Sequence, residues 1–337
     1  MIKLDMSEVL DFPELSHYMS VFEAALKKVL EGADPVIGQP LARLLTHSGK
    51  RLRPSLVMII AAGQGRKIDH RVLAGCVAVE LVHIGSLVHD DIIDNANTRW
   101  GIPTIHSVEG VATAILVGDY LFASACRLAS TISAPAAQIV AQTIMTLCNG
   151  EAQELGTMFD TTRSKRALYS TIHAKTAALM ATSCQLGGIC SNLPQIKIDQ
   201  LASYGESFGM SFQLVDDVLD LTSTEQLAGK PVGNDIKAGV YTLPIILALN
   251  GRRGNEVRQL LAKPNLSESK LTRLLIEDGS LQETIAEAKM YNAKAAKSWT
   301  QFMPDDNILG LAKLPATYME WALTNMMAKQ YKSRLGY

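Results

Sequence analysis

The sequence predicts an all-α fold, and three observations carry that prediction. Hydrophobic residues make up 47% of the 337 residues and aromatic residues only 6%, while Ala, Leu, Ile and Met are abundant, which favours helices over sheets. Apolar residues recur at helical spacing along most of the chain, and strand-like alternation is nowhere sustained. We therefore expect a single large bundle of ten or more mostly antiparallel helices around a deep central cavity.

Taken in order, the first helical pattern covers about residues 15–31 and stops at Gly32. A loop at 35–40 and a basic segment at 43–53 follow, and Pro54 stands where the next helix could start. The remaining helical patterns lie at about 71–93, 109–130, 136–155, 165–186, 196–220, 241–250, 268–277, 281–302 and 316–335. Because no linker-like segment divides the chain, we expect one domain over residues 1–337, with its core at about 40–250 and peripheral helices at about 251–337.

Charge and cysteine content narrow the class of partner and the compartment. Lys and Arg number 32 against 33 Asp and Glu, and a formal charge of −1 argues against nucleic-acid binding through a basic surface. The five cysteines lie inside apolar helical stretches and form no CxxC pair, which predicts buried free thiols in a reducing compartment, the cytoplasm. No signal peptide is apparent, and the most apolar stretch, 111–129, contains Asp119 and Arg127. We interpret that stretch as a buried core helix and expect no stable membrane insertion.

Two aspartate triplets with identical spacing are the strongest signal in the chain. The first, Asp90-Asp-Ile-Ile-Asp94, ends an apolar stretch, and the second, Asp216-Asp-Val-Leu-Asp220, follows 126 residues later. Residues four apart share a helix face, so the carboxylates within each triplet repel one another unless a cation lies between them. A single triplet is more often a solvated helix end. Two of them predict facing helices with Mg²⁺ bound between their carboxylates and the oxygens of a diphosphate.

Basic residues stand near predicted loops, where they could contact the same diphosphate. They lie in Gly49-Lys-Arg-Leu-Arg-Pro54, Thr98-Arg99, His173-Ala-Lys-Thr176 and Gly229-Lys230. Each alone would be interpreted as solvated surface charge. Together with the two aspartate triplets they indicate a polyanion site.

These motifs, in this order, resemble those of the trans-polyprenyl diphosphate synthases over about residues 40–250. The segments that carry the resemblance are Gly49–Pro54, His89–Asp94, Lys175-Thr176, Phe212–Asp220 and Gly229–Asp235. The resemblance implies an all-α barrel of the isoprenoid synthase type, usually a homodimer. It also implies the condensation of isopentenyl diphosphate with an allylic diphosphate, in which about three Mg²⁺ ions assist ionisation to an allylic carbocation.

The same resemblance implies a role for individual residues. Metal binding is expected at Asp90, Asp94, Asp216 and Asp220; allylic diphosphate binding at Lys175, Lys230 and Arg99; isopentenyl diphosphate binding at Lys50, Arg53 and His83; and stabilisation of the cation at Thr176 and Gln213, with Lys175 counted beside them as catalytic. The departing diphosphate takes the final proton in the family's scheme, so no side-chain base is expected.

Two positions depart from the family pattern. Trp100 stands where a second arginine usually contacts isopentenyl diphosphate, and Val240 stands where a lysine usually assists the allylic diphosphate. Neither side chain can donate a charge-assisted hydrogen bond to a phosphate oxygen. Arg51 and Lys237 are the candidate replacements, and a different acceptor or a partner subunit is the alternative explanation.

Product length is expected to depend on Gly85 and Ser86, one turn below Asp90 on the helix. Bulky aromatic residues there stop growth early in the family, so small ones predict a product longer than three isoprene units, which could be delivered to a membrane. Close helix packing through small residues is the competing explanation.

Three other functions match parts of the sequence. A non-catalytic or weakly active partner of a heteromeric synthase would explain Trp100 and Val240, but the intact aspartate triplets oppose it. A terpene cyclase generally lacks the second triplet. A His-Asp metal phosphohydrolase would use His83 and His89, but it leaves Asp216 unexplained.

Overall fold

Helices form nearly all of the regular structure in the computed structural model, which describes residues 12, 14–46, 49–228, 233–263, 266–303 and 310–337. The α-helices are α1 Leu15–Lys27, α2 Pro35–Leu45, α3 Leu52–Gly63, α4 His70–Ile93, α5 Ile105–Glu109, α6 Val111–Ile132, α7 Ala134–Leu155, α8 Lys165–Ile172, α9 Ala178–Cys190, α10 Gln195–Thr222, α11 Glu225–Ala228, α12 Asn234–Lys237, α13 Leu243–Asn250, α14 Gly254–Leu261, α15 Glu268–Asp278, α16 Ser280–Phe302, α17 Leu314–Met326 and α18 Lys329–Leu335. A 3₁₀ turn, Lys28–Leu30, follows α1, and strands β1 Thr98–Arg99 and β2 Ile102–Pro103 form a short antiparallel hairpin.

The most apolar helices lie at the centre because they have no polar face that could be exposed to solvent. Helices α3 and α9 are buried along almost their whole length, and α4 is buried almost up to its aspartate triplet. The C-terminal half of α10 is mostly buried, and its burial continues through Asp217 and Asp220 of the second triplet. Helix α4 packs on α6, while α10 packs on α9 and α16. The buried apolar residues form one connected core from Phe12 to Leu335. The two triplets therefore stand at the ends of long helices that the core holds in place.

A turn of π-helix, His173–Ala177, joins α8 to α9 and carries two of the predicted site residues, Lys175 and Thr176. Glycines on two neighbouring helices make room for this wider turn. A Cβ on Gly150 of α7 would come 2.9 Å from Lys175 Cγ, and one on Gly209 of α10 would come 2.5 Å from Ala177 Cα. Insertions of this kind re-aim side chains, and they occur often at functional sites.

The predicted fold class is confirmed, and most predicted helices match within a few residues. The loop expected at 35–40 is wrong, because Pro35–Leu45 is helical. Asp34 caps that helix by accepting a hydrogen bond from the Val36 backbone N–H at 2.9 Å, and Pro35 suits the first helical turn. Helix α14 was not expected, and the segment 316–335 forms two helices, α17 and α18. The proposed division into a core and peripheral helices stays a prediction.

Helices α4 and α6 are long and apolar enough to cross a membrane by length and composition alone. Two such helices are weak evidence for membrane insertion, and 67% of the 18-residue apolar segment of α4 is buried in the core. For α6 the buried share is only 33%, so the expectation of a buried core helix is wrong for the outer face of this helix. One face of α6 packs on α4, and the other exposes Val111, Ile115 and Leu116.

Candidate active site

Four carboxylates from two helices surround one lysine at the end of the first aspartate motif. Lys175, on the π-turn, forms ion pairs with Glu151, at 2.7 Å between Nζ and Oε2, and with Glu154. Asp90 and Asp94 of α4 lie close enough to the same ammonium group for it to lower their pKa values. The structure thus brings Asp90, Asp94 and Lys175 together, as the sequence predicted, and adds the two glutamates of α7.

The surroundings of Asp90 disfavour the negative charge of its carboxylate. Burial, and after it the charge of Glu151, raise the pKa of Asp90 to about 7, although Lys175 and Arg99 act in the opposite direction. Burial also raises the pKa of Asp94, which faces Glu154, against the opposing effect of Lys175. A carboxylate cluster with too little cationic charge is suited to a further cation.

The residues present fit a hard divalent cation at this cluster, because they offer several carboxylate oxygens on one side of the site. Among the described residues, however, no three side chains from His, Cys, Asp and Glu converge on a single point with the spacing of metal ligands. Substrate oxygens and water would therefore have to complete the coordination, as they usually do for Mg²⁺.

Three arginine side chains surround a histidine of helix α4 beside the first motif. His83 faces Arg53, Arg99 and Arg51, and burial together with these three guanidinium groups lowers its pKa well below the ordinary value. Arg99 donates from Nε to Asp91 at 2.6 Å, which fixes the β-hairpin to helix α4. The buried Nε of Arg53 has no hydrogen-bond partner in the part of the chain that the structure describes. The three residues predicted from resemblance, Arg53, His83 and Arg99, therefore lie together and suit an anion.

The second motif continues this site through a chain of hydrogen bonds. The Thr176 hydroxyl donates to Gln213 Oε1 at 2.7 Å, and Gln213 Nε2 donates to Asp217 at 2.9 Å. Asp217 is buried, and its pKa is raised well above the ordinary value by burial, with Asp216 and Asp220 adding to the shift. Because Thr176 is next to Lys175, this chain links the helix of the second motif to the cluster at the first.

The remaining predicted ligands are placed differently. Lys50 donates from Nζ to the hydroxyl of Tyr318 at 3.0 Å, so a residue near the C-terminus lies beside it. Lys230 lies outside the described residues. Arg51 cannot replace a missing diphosphate ligand, because it is buried in ion pairs with Glu80, at 2.5 Å, and Glu23, at 2.8 Å.

Gly85 and Ser86 occupy different environments. Gly85 is buried against α6, and a Cβ there would lie 2.9 Å from the Phe122 ring. Ser86 is half-buried, and its hydroxyl donates to the His83 carbonyl at 2.9 Å. Close packing thus accounts for Gly85, and the aromatic ring beside this helix comes from Phe122 of the neighbouring helix. The effect of both residues on product length stays a prediction.

The structure describes the backbone at both positions that depart from the family pattern, Trp100 and Val240. Trp100 lies at the tip of the hairpin with a positive φ of 54°, and a Cβ on Gly49 would be 3.8 Å from its Cζ2. Its ring therefore reaches the loop that carries Lys50. The Val240 backbone N–H donates to the Asp235 carbonyl at 2.7 Å.

Sequence reasoning missed Glu151, Glu154 and Tyr318. The glutamates carried a usable signal, since their spacing of three residues places them on one face of α7. Tyr318 carried none, because its partner Lys50 lies 268 residues away.

This fold and site define a helical enzyme of the isoprenoid synthase type, with two aspartate motifs and cations for diphosphate groups. The family model described as polyprenyl synthetase matches residues 34–277. The heptaprenyl diphosphate synthase component 2 of Geobacillus stearothermophilus is 38% identical over 240 residues, covering 71% of this chain and 75% of that protein. The chloroplastic solanesyl diphosphate synthase 1 of Arabidopsis thaliana is 33% identical, covering 90% and 73%.

Solved structures agree with these sequence relatives. A polyprenyl synthase from Caulobacter crescentus, complexed with calcium and isoprenyl diphosphate, superposes with a TM-score of 0.85 at 28% identity, covering 95% of this chain and 98% of that one. The heptaprenyl diphosphate synthase of Staphylococcus aureus gives 0.80 at 29% identity, covering 95% and 98%. The chain belongs to the polyprenyl synthase family. It is a prenyltransferase of isoprenoid biosynthesis, and its substrates are isoprenoid diphosphates.

Proposed function

We propose that this chain condenses isopentenyl diphosphate with an allylic diphosphate to make a longer trans-polyprenyl diphosphate, using Mg²⁺. The observation that carries the proposal is the pairing of opposite charges at the first motif. Lys175 is held between Glu151 and Glu154 beside Asp90 and Asp94. Such an arrangement can bind a diphosphate and its counter-cations together.

Bound to Asp90, Asp94, Asp216 and Asp220, about three Mg²⁺ ions would act as Lewis acids that withdraw charge from the departing diphosphate. The protein's own side chains bind the diphosphate groups of both substrates. Lys175 and Arg99, with Lys230, bind the allylic diphosphate. Lys50, Arg53 and His83 bind the isopentenyl diphosphate. The Arg53 Nε–H has no hydrogen-bond partner among the described residues and can donate to a phosphate oxygen.

Two neutral side chains are positioned near the developing cation. Because Thr176 donates to Gln213 and Gln213 donates to Asp217, the amide of Gln213 is fixed in one orientation. Oriented hydroxyl and amide oxygens can stabilise positive charge without reacting with it as free water would. We assign Thr176 and Gln213 this role.

We further propose a product longer than three isoprene units, on the basis of small side chains at Gly85 and Ser86. The relatives named as heptaprenyl and solanesyl diphosphate synthases support a long product. The test is mass analysis of products from the purified chain, given Mg²⁺, isopentenyl diphosphate and a panel of allylic primers. Failure to extend farnesyl diphosphate would exclude a long product.

For the assembly we propose a homodimer formed through α6 and α7. Their outer faces expose Val111, Ile115 and Leu116 on α6 and Met145 on α7, which form apolar surface that a second copy could bury. All five cysteines are free, which supports a reducing, cytoplasmic location, although the predicted burial is wrong for Cys148, which is exposed. Light scattering coupled to size-exclusion chromatography would measure the mass, and a monomer at micromolar concentration would refute the homodimer.

A second candidate is a subunit that requires a partner chain. Two relatives are named heptaprenyl diphosphate synthase component 2, which favours this candidate, as do Trp100 and Val240. The purified chain alone discriminates between the two. No diphosphate release at any substrate concentration would favour the partner subunit, whereas turnover by the isolated chain would exclude it.

A further inference from the structure

The C-terminal helix α17 places a buried tyrosine between two residues of the site. Tyr318 is only 1% exposed, and its hydroxyl accepts a hydrogen bond from Lys50 Nζ at 3.0 Å. The carboxylate of Asp216 lies close to the same hydroxyl and, after burial, helps to raise its pKa. A phenol has one proton to donate and can accept others, so it can satisfy both neighbours at once. The phenol of Tyr318 thus accepts a hydrogen bond from the ammonium of Lys50 and lies beside the carboxylate of Asp216.

Aromatic rings complete the surroundings of Lys50. Its ammonium lies 4.9 Å from the ring centre of Tyr318, 5.5 Å from that of Trp321 and 5.8 Å from that of Phe212. Tyr318 and Phe212 stack with their ring centres 4.8 Å apart. Cation–π attraction acts over such distances. A lysine side chain that is otherwise flexible is therefore held in one place before substrate arrives.

We propose that Tyr318 is a positioning residue for acceptor binding. Its hydroxyl holds the Lys50 ammonium towards the isopentenyl diphosphate. This inference rests on the function proposed above for Lys50. It gives α17, which lies beyond the family-model match at residues 34–277, a direct part in the site.

The test compares Tyr318→Phe with the wild-type enzyme. Phe keeps the stacked ring and removes only the hydroxyl, so the thermal midpoint should change little. Losing a hydrogen bond to a charged group should raise the KM for isopentenyl diphosphate about tenfold. The KM for the allylic primer should stay within about twofold of its wild-type value, because Lys175 is untouched. Tyr291→Phe is the matched control, since Tyr291 packs on Tyr169 of α8, away from Lys50.

A double-mutant cycle separates positioning from general packing. In a Lys50→Met background, Tyr318→Phe should raise the KM for isopentenyl diphosphate no further, because the hydroxyl has no ammonium left to hold. An equal rise in both backgrounds, or no rise in either, would overturn the proposal. Should Tyr318→Phe fail to fold, Trp321→Leu removes a half-buried ring around the same ammonium and must raise the same KM.

Direct binding keeps this proposal separate from the proposed reaction. If the wild-type chain made no product, the proposed function would fail. Calorimetric titration with isopentenyl diphosphate would then still compare the wild-type chain with Tyr318→Phe. Weaker binding by the variant supports the positioning role, and equal binding refutes it.

Discussion

Restoring an arginine at Trp100 is the sharpest test of how this chain binds its acceptor. The Trp100 ring reaches the loop of Gly49 and Lys50, so an arginine there would bring a guanidinium group to the acceptor diphosphate. The left-handed backbone at this residue, with φ of 54°, is a local constraint that Trp already meets. Trp100→Arg therefore changes the chemistry of the side chain more than the hairpin.

The expected gain follows from one added charge-assisted hydrogen bond. Such a bond contributes about 1.5–3 kcal/mol, and position 100 is half-buried, so solvent screening favours the lower end. Since about 1.4 kcal/mol corresponds to a factor of ten, the KM for isopentenyl diphosphate should fall about tenfold while kcat changes little.

The assay is steady-state condensation at saturating allylic primer and Mg²⁺, with isopentenyl diphosphate varied. Trp100→Leu is the control, because it removes the ring without adding charge and should not lower the KM. If Trp100→Arg left the KM within twofold of its wild-type value, the missing arginine would not limit acceptor binding, and the reasoning from the family pattern would be refuted.

Three further predictions follow from the described contacts. Ser86→Phe should shorten the product and Phe122→Ala should lengthen it, as read by mass analysis; unchanged distributions would place the limit elsewhere. Glu80→Gln should lower the free energy of unfolding by about 1–3 kcal/mol in chemical denaturation, because Arg51 loses one of its two anionic partners and keeps Glu23. Mg²⁺ at a hundred times its dissociation constant should stabilise the chain by about 2.7 kcal/mol. Asp90→Asn should lose most of that metal-dependent shift while unfolding no earlier without metal.

The helices could be predicted where apolar residues recur along a single face. The prediction failed where local chemistry overrides this periodicity. Prolines at positions 35 and 40 made α2 look like a loop, although Asp34 before Pro35 is a recognisable start signal. The π-turn at 173–177 could not be predicted from spacing, because it depends on close approach by Gly150 and Gly209 on other helices.

The site divides in the same way. Asp90 and Asp94 could be placed together because both lie on one helix, and Lys175 could be placed beside them only by resemblance. The contact of Lys175 with Glu154 and the contact of Lys50 with Tyr318 depend on packing between segments that are distant in the sequence. No local pattern encodes such contacts.

The charge distribution bears on whether this chain is catalytic. A net charge of −1 over 337 residues gives no strong overall electrostatic field. The site nevertheless brings positively and negatively charged side chains close together in space. The pKa of Asp90 is raised to about 7, so in the absence of metal its negative charge opposes folding. A chain that served only as a partner would gain stability by replacing such carboxylates. The presence of these carboxylates beside Lys175 is explained if they bind metal during turnover. A buried Arg53 Nε without a hydrogen-bond partner in the described part of the chain is explained if it binds a diphosphate.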